Sequence, residues 1–244
     1  MNLVIDIGNT RTKAALFHNK ECLSLKVYNS LHDLLNDTPF FEKAQQAIIA
    51  SVVDGLEHQF ELLNSLIPTI IFTSDTPIPI QNLYLSSATL GSDRLCASIA
   101  GYALYPHSNV LTIDAGTCLK YNFVNEDNQY LGGGISPGLT MRFKALAHFT
   151  SKLPLVEIDV NECTLIGNNT QSSILSGVIN GAVSEIDGII SNYKSLYPQI
   201  FVLLTGGDSE FLAKQLKNSI FAHQNLVLKG LNYILNYNLE LQKS

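Results

Sequence analysis

An apolar run that ends in Asp-x-Gly occurs twice in the chain, as Leu3-Val4-Ile5-Asp6-Ile7-Gly8-Asn9-Thr10 and as Leu111-Thr112-Ile113-Asp114-Ala115-Gly116-Thr117. Each run is too short for a helix and predicts a buried strand, and the following glycine permits a tight turn. A carboxylate therefore lies at each strand tip, beside backbone amides that favour an anionic ligand. A single copy would indicate only a turn. Two copies in matching contexts predict paired turns that hold a nucleotide's phosphates between two domains.

A third strand that runs into a glycine turn supports this interpretation. It reads Phe201-Val202-Leu203-Leu204-Thr205-Gly206-Gly207-Asp208 and precedes a helix-like stretch through Leu212. Such a turn lets a flat base approach the backbone. In the first two turns, we expect the hydroxyls of Thr10, Thr12 and Thr117 to face the ligand.

Composition excludes several classes of protein. The net charge is −6 and charged residues make up only 15% of the chain, so the basic footprint of a nucleic-acid-binding protein is missing. No run approaches 18 consecutive apolar residues, and no basic segment precedes an apolar one at the start, so we expect neither a membrane span nor a secretory signal. The four cysteines form no C-x-x-C pair and predict reduced thiols rather than a zinc site. We therefore expect a cytoplasmic protein.

The order of predicted elements repeats along the chain. Three strands near 2–7, 12–17 and 21–28 precede helices near 30–37 and 55–66 and strands at 47–50 and 69–72. Three further strands near 110–114, 118–124 and 128–132 precede helices at 139–147 and 170–194, a strand at 200–204 and a closing helix after Gly230. This repetition predicts an α/β protein of two domains, 1–108 and 109–244, each a mixed sheet flanked by helices. Within the first domain, the irregular segment 73–92 predicts a functional loop, and Ser92-Asp93-Arg94 opens a helix.

The chain resembles the type III pantothenate kinases of the acetate kinase, sugar kinase, Hsp70 and actin superfamily. Five motifs carry the resemblance over almost the whole chain: Asp6-Ile7-Gly8-Asn9-Thr10, Gly91-Ser92-Asp93-Arg94, Asp114-Ala115-Gly116-Thr117, Gly132-Gly133-Gly134-Ile135-Ser136-Pro137-Gly138 and Thr205-Gly206-Gly207. The resemblance implies two actin-like (ribonuclease H-like) domains. It also implies ATP-dependent phosphorylation of pantothenate to 4'-phosphopantothenate, the first step of coenzyme A biosynthesis, by a homodimer with the substrate site at its interface.

The family's functional residues carry over to matching positions of this sequence. Asp93 matches the catalytic base, and Asp6 lies where the family places the Mg²⁺ of ATP. The ATP-binding positions are Asp6, Ile7, Gly8, Asn9, Thr10, Arg11, Thr12, Lys13 and Thr117. The pantothenate-binding positions are Tyr84, Gly91, Ser92, Asp93, Arg94 and, from the other subunit, Thr170. Asp114 matches the ligand of a monovalent cation, K⁺ or NH₄⁺.

The second motif departs from the family's pattern, D-x-G-T-A-x-T-x-D. Lys120 and Asn122 replace the usual threonine and aspartate. The ammonium of Lys120 can take over part of the cation's role if it points at the phosphates. The alternative interpretation is a solvated lysine on a strand.

Other assignments also have plainer alternatives. Asp93 can be only a carboxylate at a helix N-terminus, and Arg94 can form an ordinary surface salt bridge. Tyr84 can simply pack in its loop, and Thr170 can be an N-cap. The triple glycine at 132–134 predicts a turn with positive φ. The chain as a whole can be a non-catalytic regulator of the same fold, or a superfamily kinase that acts on a sugar or a short-chain acid.

Overall fold

Two compact units make up the chain in a computed structural model that describes residues 1–157 and 163–243. The strands are β1 (Asn2–Ile7), β2 (Thr12–His18), β3 (Glu21–Tyr28), β4 (Gln46–Ser51), β5 (Thr69–Ile71), β6 (Gln81–Asn82), β7 (Asn109–Ala115), β8 (Cys118–Val124), β9 (Gln129–Pro137), β10 (Ile200–Thr205) and β11 (Phe221–Ala222). The helices are α1 (Leu31–Leu35), α2 (Thr38–Phe41), α3 (Glu57–Leu66), α4 (Ser92–Leu104), α5 (Leu139–Phe149), α6 (Thr170–Leu196), α7 (Ser209–Ala213) and α8 (Leu226–Leu241).

The first unit comprises residues 1–107, 124–131 and 225–244, and the second comprises 108–123 and 132–224. The first boundary lies beside the predicted division at 108/109, but two later segments join the first unit. The C-terminal segment joins the first unit because helix α8 has an apolar face. Leu228, Leu231, Ile234 and Leu235 of α8 are buried with Ile99 of α4 in one core.

The two sheets repeat one strand order. The strand order of the first sheet is β3-β2-β1-β4-β5. The strand order of the second sheet is β6-β9-β8-β7-β10-β11, so that its last five strands correspond in order to those of the first sheet. In the first sheet, β1 pairs antiparallel with β2 and parallel with β4. In the second, β7 pairs parallel with β10. The predicted repetition of elements is therefore confirmed as a repetition of topology.

Both faces of the first sheet are buried, so the residues of β1 alternate between two cores. Leu3, Ile5 and Ile7 pack into one core with α1 and α3, whereas Val4 packs into the other with α4 and α8. Because side chains on a strand alternate, Asp6 points to the same face as Val4. The tip of β1 thus presents its carboxylate on the side where α4 lies.

The second unit has its core on one face of its sheet. Leu111, Ile113 and Ala115 of β7 pack there with the buried face of α6. This helix is long and apolar enough to meet the length and composition of a membrane span. Eight of its residues are buried, including Ile179, Ile186 and Ile190, so it is the core helix of the unit.

Two sequence predictions need correction here. Gly132 and Gly133 have the expected positive φ, 102° and 151°, but they lie inside strand β9 rather than in a turn. A Cβ on Gly133 would lie 1.9 Å from the carbonyl oxygen of Tyr121, so the neighbouring strand requires glycine. The closing helix begins at Leu226, before Gly230 rather than after it.

Candidate active site

The turn between β1 and β2 forms an exposed loop next to a partly buried carboxylate. The backbone N–H of Gly8 donates to the carbonyl oxygen of Arg11 at 3.0 Å and closes the turn. Asn9, Thr10 and Arg11 are exposed, whereas Asp6 is half-buried at the strand tip. The loop therefore offers amides, a hydroxyl and a guanidinium to an anionic ligand.

The strand register decides which side chains of this loop share a face with Asp6. Lys13 is directly opposite Asp6 in the antiparallel pair, and such partners lie on the same face. Thr12 is opposite Ile7, and both are buried, 1% and 4% exposed, toward the other core. The expectation that the Thr12 hydroxyl faces a ligand is therefore wrong, because strand alternation turns it away from Asp6.

Helix α4 places Asp93 in its first turn. Its Oδ1 accepts the backbone N–H of Arg94 at 2.8 Å. A Cβ at Gly91, two residues earlier, would lie 2.7 Å from that oxygen. Glycine at this position therefore leaves room for the carboxylate. The helix dipole stabilises a negative charge there by roughly 0.3–1 kcal/mol. The predicted helix start at Ser92 is confirmed.

Burial and the charges of Asp6 and Asp93 all raise the pKa of the Cys96 thiol. Cys96, one turn after Asp93 on α4, is fully buried. Burial raises the pKa of the Cys96 thiol well above its usual value, and the charges of Asp6 and Asp93 raise it further. The packing agrees with this, because Val4 and Cys96 belong to one core and Asp6 is on the same face of β1 as Val4. The first unit therefore brings together two carboxylates that are far apart in sequence.

Arg94 is a buried cation, only 5% exposed. Its Nη1 lies 3.5 Å from the hydroxyl of Tyr84, and its guanidinium carbon lies 5.4 Å from the centre of that ring. The ring of Tyr84 also packs against Tyr130, with 6.1 Å between centroids. The alternative of a surface salt bridge is therefore wrong for Arg94. Tyr84 does pack in its loop, and this packing puts it against Arg94.

The second Asp-x-Gly turn is held by glycines from distant parts of the chain. The N–H of Gly138 donates to the carbonyl oxygen of Thr117 at 3.1 Å. Cβ atoms on Gly138 and on Gly206 would lie 2.1 Å from the carbonyl oxygen of Gly116 and 2.2 Å from that of Ala115. Close packing against this turn therefore requires glycine at both positions. Thr117, in the turn itself, is exposed.

The turn after β10 adds a half-buried carboxyl group, that of Asp208, beside the Asp114 turn. The N–H of Asp208 donates to the carbonyl oxygen of Ala115 at 3.0 Å. Burial raises the pKa of the Asp208 carboxyl. Gly206 has a φ of 99°, which an L side chain rarely adopts. The predicted glycine turn is therefore present and lies against the Asp114 turn.

Asp114 is paired with Lys120. The Lys120 Nζ lies 3.0 Å from Asp114 Oδ2, and the two side chains are 20% and 15% exposed. Alternation explains the pairing, because neighbouring residues of β7 and β8, such as Ile113 and Leu119, face the core. The interpretation of Lys120 as a solvated lysine is therefore wrong.

Thr170 is the first residue of α6 and is exposed. The N-cap is Asn169, whose side chain accepts the N–H of Ser172 at 2.9 Å. Ser172 in turn accepts the N–H of Asn169, which completes a capping box. The N-cap alternative for Thr170 is therefore wrong, and its hydroxyl is available at the surface.

One polar network of the second unit is not marked by any single motif in the sequence. Arg142 of α5 is ion-paired with Glu185 of α6, and donates to Ser136 Oγ and to the Pro137 carbonyl at 2.8 Å each. Tyr121 donates to Glu185 Oε1 at 2.9 Å. Burial and this hydrogen bond raise the pKa of the tyrosine. No spacing signal joins these residues, since the fold alone brings them together around the Gly-rich motif.

Comparisons with known proteins agree with the motifs. A family model described as type III pantothenate kinase matches residues 2–192. The type III pantothenate kinase of Bacteroides fragilis is 45% identical over 241 residues, 98% of each chain. That of Phocaeicola vulgatus is 44% identical over 247 residues, which cover 99% of this chain and 100% of that protein.

Solved structures share the fold at low identity. A putative Baf family transcriptional activator from Campylobacter jejuni has a TM-score of 0.67 at 20% identity, covering 98% of this chain and 99% of that one. A putative N-acetylmannosamine kinase from Listeria monocytogenes has a TM-score of 0.58 at 11% identity, with the same coverage. These similarities concern the fold alone, and they confirm the predicted actin-like fold class.

Proposed function

We propose a residue-level mechanism for this chain, which belongs to the type III pantothenate kinase family. The chain is a kinase that phosphorylates pantothenate with ATP, a reaction of coenzyme A biosynthesis. The observation that carries the mechanism is that Asp6 points to the face of the first sheet against which α4 packs, and that α4 carries Asp93 in its first turn. It provides one carboxylate for the metal of the nucleotide and one for the acceptor hydroxyl.

Asp6 and the β1–β2 loop hold the phosphates of ATP in this mechanism. The residues present fit Mg²⁺, because the half-buried Asp6 carboxylate and the exposed Asn9 and Thr10 offer the oxygen ligands that this ion prefers. When bound, Mg²⁺ neutralises the charge of the transferring phosphoryl group. The loop amides and the side chains of Arg11 and Lys13 add positive potential at the same place. Thr117 and the turn after β10 are assigned to the nucleotide.

Asp93 is the general base. Its carboxylate accepts the proton of the primary hydroxyl of pantothenate as the oxygen attacks the γ-phosphorus and the bond to ADP breaks. A positioned base contributes about 10²–10⁴-fold, which corresponds to roughly 3–5 kcal/mol. The position of Asp93 in the first turn of α4 supports this role, because it places the carboxylate beside Gly91 and Arg94, two residues assigned to pantothenate.

Arg94, Tyr84, Gly91 and Ser92 bind pantothenate. Arg94 offers a planar fork of donors that suits a carboxylate, and the contact with Tyr84 restrains its direction. The buried Ser92 Oγ has no hydrogen-bond partner among residues 1–157 and 163–243, and a substrate amide or hydroxyl would satisfy it.

A second copy of the chain completes the site with Thr170. Support comes from the exposed apolar residues that precede it, since Leu165 and Ile166 are 80% and 82% exposed. Apolar surface of this kind is typical of an interface. We place the homodimer in the cytoplasm, where its four free cysteines stay reduced.

A monovalent cation does not fit at Asp114 in this chain. The carboxylate that would ligate it is already paired with the ammonium of Lys120 at 3.0 Å. Two cations at one carboxylate repel each other. The mechanism therefore includes no step that depends on K⁺ or NH₄⁺.

The test is phosphate transfer by the purified protein with ATP and Mg²⁺, with the phosphorylated product identified by mass spectrometry. We expect phosphopantothenate from the wild type, a loss of at least a hundredfold in kcat for Asp93→Asn, and unchanged kcat for the exposed control Asp127→Asn. Full activity of Asp93→Asn would refute its role as the base. Faster phosphorylation of N-acetylglucosamine or acetate would point to a different acceptor, and no turnover with any acceptor would point to a regulator.

The shared site has its own test, in which Asp93→Asn and Thr170→Arg chains are coexpressed. If Asp93 of one subunit works with Thr170 of the other, each mixed dimer contains one intact site and activity returns. If both residues of a site belong to one chain, the mixture stays inactive. An active Thr170→Arg protein on its own would exclude Thr170 from the site.

A further inference from the structure

Asp114 and Lys120 form a pair that is largely withdrawn from water. Asp114 lies near the end of β7, and Lys120 lies on β8, directly after the Gly116–Thr117 turn. The ammonium and carboxylate are 3.0 Å apart, and the side chains are 20% and 15% exposed. Salt screens the attraction within a partly buried ion pair much less than it screens the attraction within an exposed pair. The ammonium is therefore a fixed charge at the tip of the second Asp-x-Gly strand.

We propose that Lys120 is a built-in cation that takes the place of a monovalent metal ion at Asp114, so that the enzyme works without K⁺ or NH₄⁺. The proposal rests on the proposed function, since it concerns the same reaction. It assigns to this chain a charge-compensating residue for phosphoryl transfer.

The chemistry of the lysine suits this role. An ε-ammonium is a compact, monovalent cation with three N–H donors, and it can replace a small ion beside oxygen ligands. It is attached to the strand, so its occupancy does not depend on the salt in solution. A free ion that approached Asp114 would meet the positive charge of Lys120 at short distance.

The second departure from the family's pattern acts in the same direction. Asn122 is fully buried, and it stands where an aspartate is usual. Alternation along β8 puts it on the same face as Lys120. One replacement adds a positive charge and the other removes a negative one. Together the two replacements make this face of β8 less negative, which weakens its attraction for a free cation.

The experiment compares kcat/KM for pantothenate in KCl, NH₄Cl, NaCl and choline chloride at equal ionic strength, with Mg²⁺ and ATP. We expect the wild type to vary less than twofold between these salts. Lys120→Thr should lose at least tenfold in choline and regain activity in K⁺ or NH₄⁺. Lys120→Arg keeps the charge and should stay independent of the cation. Lys152→Thr, an exposed lysine of the same unit, should behave like the wild type.

Wild-type activity that is at least tenfold higher in K⁺ than in choline would overturn the proposal. A purely structural role for Lys120 would lower activity equally in all four salts. If no salt gives turnover, the proposed function fails, and melting temperatures then decide the cation question. The proposal requires equal wild-type melting in K⁺ and choline, and a rise in K⁺ for Lys120→Thr. Stabilisation of the wild type by K⁺ would refute it.

Discussion

Replacing Gly230 with alanine tests how helix α8 holds α4, the helix that carries Asp93 and Arg94. A Cβ at Gly230 would lie 1.8 Å from the carbonyl oxygen of Cys96 and 2.6 Å from its carbon. These are backbone atoms of α4, so no side-chain rotation relieves the overlap. An ordinary contact begins near 3.4 Å, and the two helices would have to separate by roughly 1.6 Å.

Two opposing free energies decide the sign of the effect. Alanine is favoured over glycine inside a helix by about 1 kcal/mol. Overpacking of a tight core costs about 1–3 kcal/mol, and a gap of about 0.5–1 Å already loses a quarter to a half of the dispersion energy of the separated atoms. Leu228, Leu231 and Ile99 all pack at this contact. The overlap prevails, and we expect Gly230→Ala to lose about 2 kcal/mol of unfolding free energy.

The assay is thermal and urea unfolding, with kcat measured well below the melting temperature. For a chain of this size the expected loss lowers the melting temperature by about 4–8 °C. The matched control is Gly188→Ala on α6, where the position is exposed and no atom lies within 4 Å of the added Cβ. That variant should gain about 0.5–1 kcal/mol.

The two variants should therefore shift in opposite directions. Because α4 carries Asp93 in its first turn, Gly230→Ala should also lower kcat, and Gly188→Ala should not. A Gly230→Ala protein as stable as the wild type, or more stable, would refute the packing argument. Reduced stability with unchanged kcat would show that the start of α4 does not depend on α8.

Three further predictions concern single residues. Arg94→Lys should raise KM for pantothenate at least tenfold with little change in kcat, because a point charge cannot reproduce the planar fork, and unchanged KM would contradict this. Although burial raises the pKa of Glu185, the hydrogen bond from Arg142 and those from Ser136 and Tyr121 lower it more. The resulting stabilisation exists above the usual pKa of 4.5 and disappears as pH falls through the lowered value. The difference in melting temperature between wild type and Glu185→Gln should therefore shrink as the pH is lowered from 7 to below 4.5. A difference that stays constant with pH would show that the ionised Glu185 does not stabilise the fold. Asn169→Ala should cost about 1 kcal/mol through loss of the cap on α6, and circular-dichroism melting of that variant checks the value.

Much of the fold was predictable because its signals are local. Each Asp-x-Gly turn follows a strand whose apolar run is visible in a few residues, and α6 was predicted at 170–194 and observed at Thr170–Leu196. The start of α4 followed from the polar residues that open it. Three short elements, β6, β11 and α2, were missed because segments of two to four residues carry no periodic pattern.

The candidate site was predictable to the extent that motifs mark it. Asp6, Asp93 and Asp114 lie where the turns and the helix start predicted them. The direction of Thr12 was not predictable from the motif, because strand register sends its side chain into the other core. The burial of Arg94 against Tyr84 likewise depends on how the loop before α4 packs.

The sequence by itself determined the repeated order of strands and helices, the two carboxylates at strand tips and the family of the chain, since these follow from periodicity and from residues adjacent in the chain. Only the tertiary structure decided that Lys120 is paired with Asp114, that Gly138 and Gly206 close on one turn, and that Arg142 reaches Glu185. The physical reason is that burial, charge pairing and close backbone approach depend on atoms far apart in sequence, whose distances are set only when the sheets and helices pack.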